Sequence, residues 1–537
     1  MHKRAMMAAF IMLLSMTPAV ATAAVSSPSP WGHGQVCFGD LSPLLNPLQA
    51  HVMCWKQWGL AHDQASANHS QGGISVWLII NRASWVMIFG LSTRVVFILW
   101  FSSKHHRASK RLLQPRLWER EQPLVSIIVP CYNEGPTLAN CVHGLMSQTY
   151  HHTEIILVDD GSKDNTWNVA RQLAGEYDLI TLHKENGGKA SALRYGIDRC
   201  TGSIVVCIDA DSIFVPDTVE QLMRSLEDPN VTAVGGNVRV ANRSGVLTAC
   251  QALDYIIGLN SNGRAYSQLG CMQVIPGAIG AFRKDAYYAV GGHSHDTLVE
   301  DMDLTIAFAQ HGYRVIFNPH ALAYTEAPVT LKDFLNQRYR WTYGGMQVLG
   351  KYKRSMFLHW NPMGMIGMPM HMISPWINII VSMLLLNSVV AAIFEHKVSS
   401  LVIFLGAMYL LQFVTLTYML TIDRETKRFL FMTGVETIFY IHLLNFVTVR
   451  SGINYIFHRQ AKWDKIPRLG TNQLQKGQEG HAKDSHIASP AADLEPDLEP
   501  VREWFSTRCN PDMPQRDGRS VASLAHPHHA DVRGGQA

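Results

Sequence analysis

The stretch "SIVVCIDAD", residues 203–211, carries an apolar, β-branched run into two aspartates one residue apart. Such a run reads as a buried strand whose end emerges at something polar. Upstream, "EIILVDD" (154–160) and "LVSIIVP" (124–130) have the same form, and a shorter strand is expected over 179–183. Apolar residues at helical spacing fill the gaps near 136–147, 164–175 and 188–199. Short apolar runs separated by amphipathic helices predict an α/β, Rossmann-like domain with a mostly parallel sheet. Ligands of such sheets sit at the carboxyl ends of the strands. The polar residues gather there: "PCYNE" (130–134) after the first strand, "DDGSKDNT" (159–166) after the second, and Asp209 and Asp211 after the fourth. In an extended chain those two aspartates would point to one side. Two hard oxygen ligands suit Mg2+ or Mn2+ better than zinc. No GxGxxG opens the first helix, and "GGKAS" (187–191) lacks the spacing of a P-loop.

Further on, "VEDMD" (299–303) puts Glu300 and Asp301 at the start of an apolar helical pattern. Alone, that is equally what a helix N-terminus prefers. "YTEAP" (324–328) and "QRYRW" (337–341) follow. Arginine pairs with diphosphate and indole offers an apolar platform. Taken singly, QRYRW also reads as part of an interfacial helix with snorkelling arginines.

The 537 residues are 47% hydrophobic and carry a formal net charge of +4, which does not suggest nucleic-acid binding. Nine cysteines form no CxxC pair, so no zinc ribbon is indicated. Lys3 and Arg4, an apolar run over 5–16 and "AVATAA" (19–24) have the order of a signal peptide or signal anchor, residues 1–24. Residues 74–101 form an imperfect span, interrupted by Arg82 and Arg94, then a basic flank of Lys104, Arg107, Lys110, Arg111, Arg116 and Arg120. By the positive-inside rule the flank is cytoplasmic. Residues 25–73 then face outward, with Cys37 and Cys54 either bridged or unrelated. Three apolar segments near the roughly 20 residues a bilayer requires follow the soluble part, within 376–450. The Met-, Pro- and Gly-rich 356–375 reads as interfacial, 451–469 as a basic juxtamembrane segment, and 470–537 as a disordered tail whose His526, His528 and His529 are solvated. Three C-terminal spans would leave the basic 458–468 outside, so either 356–375 crosses as well or the last segment is re-entrant. Glu436 and His442 lie in that last segment and are expected to face a polar path.

In this order, Asp159-Asp160-Gly161-Ser162, Asp209-Ala210-Asp211, Val299-Glu300-Asp301 and QRYRW before membrane segments resemble the processive, membrane-integrated branch of glycosyltransferase family 2. That branch includes cellulose, hyaluronan, chitin and poly-N-acetylglucosamine synthases. The likeness covers about 122–360 plus the flanking spans, and four ordered motifs are far more specific than one. Val299 stands where the family often has Thr, leaving both carboxylates intact. The resemblance implies a GT-A catalytic domain over 102–355, fused to a helical multi-pass membrane part, in the inner membrane with the catalytic domain cytoplasmic. It implies Asp160 at the uracil of a UDP-sugar donor with Tyr132, Glu134 and Asp159 nearby, and Lys189 near the nucleotide. Asp209 and Asp211 would hold the diphosphate through Mg2+ or Mn2+, with Arg340 beside it. Asp301 would be the general base, next to Glu300, and Gln337 and Trp341 would border a growing polysaccharide acceptor. The lipid bilayer and a small membrane or periplasmic export partner are the other partners implied. The motif wording is closest to poly-β-1,6-N-acetylglucosamine synthases, so UDP-N-acetylglucosamine is the expected donor. Hyaluronan, chitin or β-glucan synthesis, or single-sugar transfer to a lipid, are the alternatives.

Overall fold

The computed structural model describes residues 76–110, 122–357, 360–394 and 398–459. The leader, the 25–73 segment with Cys37 and Cys54, residues 460–469 and the tail with its histidines lie outside the described residues.

Within that range the chain builds one eight-stranded sheet in the order β3-β2-β1-β4-β7-β6-β8-β5. The strands are β1 Val125–Cys131, β2 Thr153–Asp159, β3 Ile180–His183, β4 Ile204–Cys207, β5 Ser212–Phe214, β6 Val231–Val240, β7 Gly280–Arg283 and β8 Arg314–Thr325. The first half is parallel, as the sequence pattern predicts: β1 pairs with β2 and β4, and β2 with β3. β7 inserts antiparallel between β4 and β6, and β5 adds antiparallel to β8. The alternation of side chains along a strand divides the core in two. Ile127, Ile155 and Val206 share one face with Leu138 and Cys141 of helix Gly135–Met146 and Leu173 of helix Thr166–Glu176. Ile128, Ile156 and Val205 point to the other face, onto Leu193 and Ile197 of helix Lys189–Ile197 and Phe308 of helix Glu300–Gln310. Helices on both faces explain why these strands read as unbroken apolar runs.

One expectation changes. The strand read over 203–211 stops at Cys207, and the Asp209 carbonyl accepts from Ser212 N at 2.9 Å to close a turn. Asp209 and Asp211 are turn residues, so the period-two argument for a common side does not apply to them.

Among the described residues, four helical stretches are long and apolar enough to cross a membrane: Trp85–Ser109, Met363–Val390, Leu401–Asp423 and Lys427–Ile456. The first belongs to helix Val76–Ser109, which runs past Phe101 and docks on the domain: Ser102 Oγ donates to the Ser261 carbonyl at 3.0 Å, and His105 lies beside Phe317. Residues 363–375, within the stretch read as interfacial, are helical and continue into Met368–Phe394. Both ends of the last segment lie against the sheet domain. Just before it, Asp423 pairs with Arg264, and Glu425 with Arg243 (2.9 Å) and Arg239 (3.3 Å). At its far end Asn454 Nδ2 donates to Tyr339 Oη at 2.9 Å, and Tyr343 Oη to the Arg459 carbonyl at 3.0 Å.

The Glu425 carboxylate is buried between two arginines. Burial opposes its charge, but Arg243 and Arg239 outweigh that and hold its carboxyl below the usual range. Its contribution to stability is therefore present above the unfolded-state pKa and fades as pH falls through the folded one. Removing one partner of a buried pair strands the other, at a cost of about 3–5 kcal/mol. Glu425→Gln is expected to lower the unfolding midpoint of the detergent-solubilised protein by several degrees at neutral pH, read by a thermal melt. A midpoint unchanged to within a degree would show that the pairs of Glu425 with Arg243 and Arg239 do not hold this end of the helix to the domain.

Candidate active site

The parallel strands end together, and β1 and β2 are tied there: Asp160 N donates to the Cys131 carbonyl at 2.8 Å. Asp159 is buried, its carboxylate facing His183 Nδ1 at 2.7 Å and accepting from Ser162 Oγ. Asp160, also buried, organises the next loop. It accepts from Lys184 Nζ at 2.6 Å, Gly187 N at 3.0 Å and Gly188 N at 2.8 Å. Gly161 makes the intervening turn with φ of 72°, and a Cβ there would meet Asn186 N at 2.8 Å, so glycine is required. Tyr132 and Glu134 follow β1; the Glu134 carboxylate accepts from Thr137 Oγ1 at 3.0 Å. The residue between them, Asn133, has a left-handed φ of 52° and accepts from Lys163 N at 2.8 Å, which pins the first two strand-end loops together.

The loop that Asp160 holds delivers Lys189 at the start of its helix. Its Nζ lies 2.6 Å from Asp209 Oδ1 and 3.0 Å from Glu300 Oε1. Asp301 completes the group, its Oδ1 accepting from Met302 N at 2.8 Å and its Oδ2 from Gly277 N at 3.2 Å. Gly277 is the residue that the sequence reading missed. A Cβ there would sit 2.6 Å from Lys189 Nζ, 3.6 Å from Asp301 Oδ2 and 3.7 Å from Asp209 Oδ2. That point, which glycine leaves open, is where the three functional groups converge. The only signal was the pair of glycines in "PGAIG" (276–280) between an apolar run and β7.

Electrostatics divide the carboxylates. Burial opposes the charge on Lys189, yet Asp209, Glu300 and Asp301 together raise its pKa, so it stays an ammonium. Burial also disfavours charge on Glu300, but Lys189 and Arg340 overcome it and hold the carboxyl below its usual range. Asp301 goes the other way: burial first, then repulsion from Glu300, raises it, with Lys189 and Arg340 moderating the rise. Two adjacent carboxyls pushed apart in this way have the pattern that acid-base chemistry uses.

The remaining predicted residues sit around this centre. Asp211 Oδ1 accepts from Ser212 Oγ at 3.2 Å and Thr325 Oγ1 at 3.3 Å. Gln337, Arg340 and Trp341 lie on helix Leu331–Lys351, whose N-cap Thr330 accepts from Asp333 N at 3.1 Å. That helix packs closely on the Glu300 helix, because a Cβ at Gly344 would fall 2.9 Å from Val299. Gln337 is buried, and Trp341 is half-buried against Tyr255. Among the described residues no three His, Cys, Asp or Glu side chains form a ready metal site. Asp209 Oδ2, facing the Gly277 opening, and Asp211 supply hard oxygens that fit Mg2+ or Mn2+ only where a ligand's phosphates complete the shell.

A parallel half-sheet with a lysine, carboxylates and an aromatic helix at its carboxyl edge defines a GT-A-like domain. Residues 122–344 match the family model described as "Glycosyltransferase like family 2". Over those residues the chain is similar to the family 2 glycosyltransferases. Poly-beta-1,6-N-acetyl-D-glucosamine synthase of Staphylococcus aureus (strain COL) is 32% identical over 227 residues, 42% of this chain and 55% of the relative. The enzyme of the same name from Staphylococcus epidermidis is 29% identical over 273 residues, 50% of this chain and 66% of the relative. The chain thus spans between about half and two thirds of the curated relatives it matches. Among solved structures, a mannosyltransferase from Pyrobaculum calidifontis, in complex with GDP-Man and Mn2+, superposes with a TM-score of 0.50 at 21% identity, covering 71% of this chain and 99% of that one. At that identity the likeness is one of fold.

Because Glu300 raises the pKa of Asp301, Glu300→Gln removes that repulsion and leaves Lys189 shared between Asp209 and Asp301. The acidic limb of the rate profile, set by deprotonation of Asp301, is expected to move to lower pH in this variant. A limb that stays in place, or moves to higher pH, would mean that Asp301 is not the group titrating.

Proposed function

We propose that this chain is a membrane-embedded, inverting and processive glycosyltransferase that extends a polysaccharide from a UDP-sugar, with UDP-N-acetylglucosamine as donor. The observation that carries the reading is the convergence of Lys189, Asp209 and Asp301 on the opening at Gly277. The names of the two staphylococcal relatives support the choice of sugar.

In this reading Asp160 and the 184–188 loop receive the uracil, with Tyr132 and Glu134 at its edge and Asp159 holding the loop from behind. Asp209 and Asp211 would hold a divalent cation, Mg2+ or Mn2+, which when bound offsets charge on the donor diphosphate. Lys189 and Arg340 add fixed positive charge where the departing diphosphate becomes more negative. An acceptor hydroxyl forms a bond to the anomeric carbon as the bond to the diphosphate breaks, and its proton passes to the Asp301 carboxylate. The raised pKa suits Asp301 to that proton. Glu300 remains ionised and keeps Lys189 in place. Gln337 and Trp341 border the acceptor, beside helices through which the polymer would leave toward an export partner. Glu436 and His442 are assigned to that path.

Membranes containing the full chain, incubated with Mg2+ or Mn2+ and radiolabelled UDP-N-acetylglucosamine, are expected to yield a long product cleaved by a β-1,6-specific hexosaminidase. Asp301→Asn is expected to reduce the rate by about 10²–10⁴. A product of one sugar on lipid would replace the processive reading, and incorporation from UDP-glucose alone would replace the sugar.

The orientation follows from the same reading. The catalytic domain is proposed to be cytoplasmic, and the last apolar segment to be re-entrant, because the contacts of Glu425 and of Arg459 place both its ends on that domain. This returns the basic 458–468 to the positive side. A single cysteine placed after residue 459, in a variant lacking the native cysteines, is expected to be blocked only by a membrane-permeant maleimide in intact cells. Blocking by an impermeant reagent would make the last segment a full span.

A further inference from the structure

Arg338 is the arginine of QRYRW that the family pattern does not use, yet it is the more enclosed of the two. It is buried, and its Nη2 lies 2.7 Å from Asp254 Oδ2. The same nitrogen donates to Tyr440 Oη at 3.1 Å, and that hydroxyl donates to Asp254 Oδ2 at 3.2 Å. The three groups close a ring of hydrogen bonds. Around it the Arg338 guanidinium stands 4.5 Å from the ring centroid of Trp341, 5.4 Å from Phe334 and 5.9 Å from Tyr255. Three separate parts of the chain meet here. Asp254 and Tyr255 lie where helix Val246–Asp254 passes into the π-helical turn Tyr255–Ser261. Tyr440 closes a second π-helical turn, Glu436–Tyr440, in the last apolar segment. Arg338 and Trp341 are three residues apart on helix Leu331–Lys351, hence on one face. Turns of this kind are uncommon and gather at functional sites, and both deliver a partner to the same guanidinium.

The chemistry of the ring is specific. Only a planar guanidinium can pair with Asp254 while stacking on an indole; a lysine ammonium would keep the charge and lose the plane. Trp341 is held on one side by Arg338 and Tyr255 and remains only half-buried. A sugar ring stacking on it would meet an indole of fixed orientation, and moving Tyr440 would move that indole.

We propose that Arg338, Asp254 and Tyr440 form a positioning unit that fixes the Trp341 indole for the acceptor sugar and couples the last apolar segment to it. This rests on the acceptor role given to Trp341 above. The unit acts on retention of the polymer end rather than on donor binding. Tyr440→Phe removes one hydroxyl and keeps the ring packing, so it tests the ring with the least risk to folding; Arg338→Lys tests the plane.

Both variants are to be assayed beside Trp341→Ala in membranes, for product length and for KM of the UDP-sugar. The expected result is product shortened at least severalfold in all three, with donor KM within about twofold of wild type. Combining Arg338→Lys with Trp341→Ala is expected to shorten it no further than Trp341→Ala alone. Wild-type length in both single variants, or effects that multiply in the combination, would overturn the proposal. A second readout needs no activity. The fluorescence due to Trp341, taken as the difference between each background and its Trp341→Phe counterpart, should be quenched more by acrylamide in Tyr440→Phe and Arg338→Lys. Unchanged quenching overturns the positioning role. Increased quenching without any polymer from the wild type would sustain it while removing the polymerase reading.

Discussion

Lys189 places one ammonium among carboxylates that come from stretches of chain about a hundred residues apart. Buried charge is tolerated only when it is paired, and here the pairing decides the geometry of everything near it. Asp209 opens the turn after β4, Glu300 opens a helix, and Lys189 opens another on the same face of the sheet. Glu300 is the buried member, and Lys189 keeps it charged there. Asp160, three contacts deep in the preceding loop, fixes where Lys189 emerges. The absence of a side chain at Gly277 leaves the centre of the cluster open. The salt bridges of Lys189 thereby border an open point with charge already arranged around it.

The same logic recurs where the domain meets the apolar helices. Arg239, Arg243 and Arg264 reach from the domain to Glu425 and Asp423 at the inner end of one helix. Leu416, Met419 and Leu420 of that helix join the apolar cluster that begins under β1. The helix end is therefore part of the domain core, not a tether. A shift of the apolar helices would have to break charged and apolar contacts together, so sheet and helices behave as one mechanical body.

Much of this was legible in the sequence, for definite reasons. β1, β2 and β4 are covered on both faces, so they appear as continuous apolar runs, and the crossover helices between them carry the opposite period. The acidic motifs were legible because they stand at strand ends and helix starts. What the sequence hid is tertiary. The turn at 209–212 defeats any argument from strand alternation. β7 follows a long detour through 246–279 before inserting between β4 and β6, so its neighbours have no local signature. Gly277 carries no chemistry of its own and shows its use only when Lys189, Asp209 and Asp301 are seen around it. Arg338 read as a snorkelling side chain because its partner Asp254 is 84 residues upstream, and Tyr440 102 residues downstream.

That separation also bears on how the motif helix works. Along QRYRW the side chains divide by face: Arg340 exerts its field on Glu300 and Asp301, whereas Arg338 turns to Asp254 and Tyr440. Trp341 stands next in sequence to one arginine and three residues from the other. A single helical turn therefore joins the charge at the chemical centre to the packing of the apolar segments. Within one helix the backbone fixes the spacing of the Arg340 and Trp341 Cα atoms, and contacts with Arg338 and Tyr255 orient the indole.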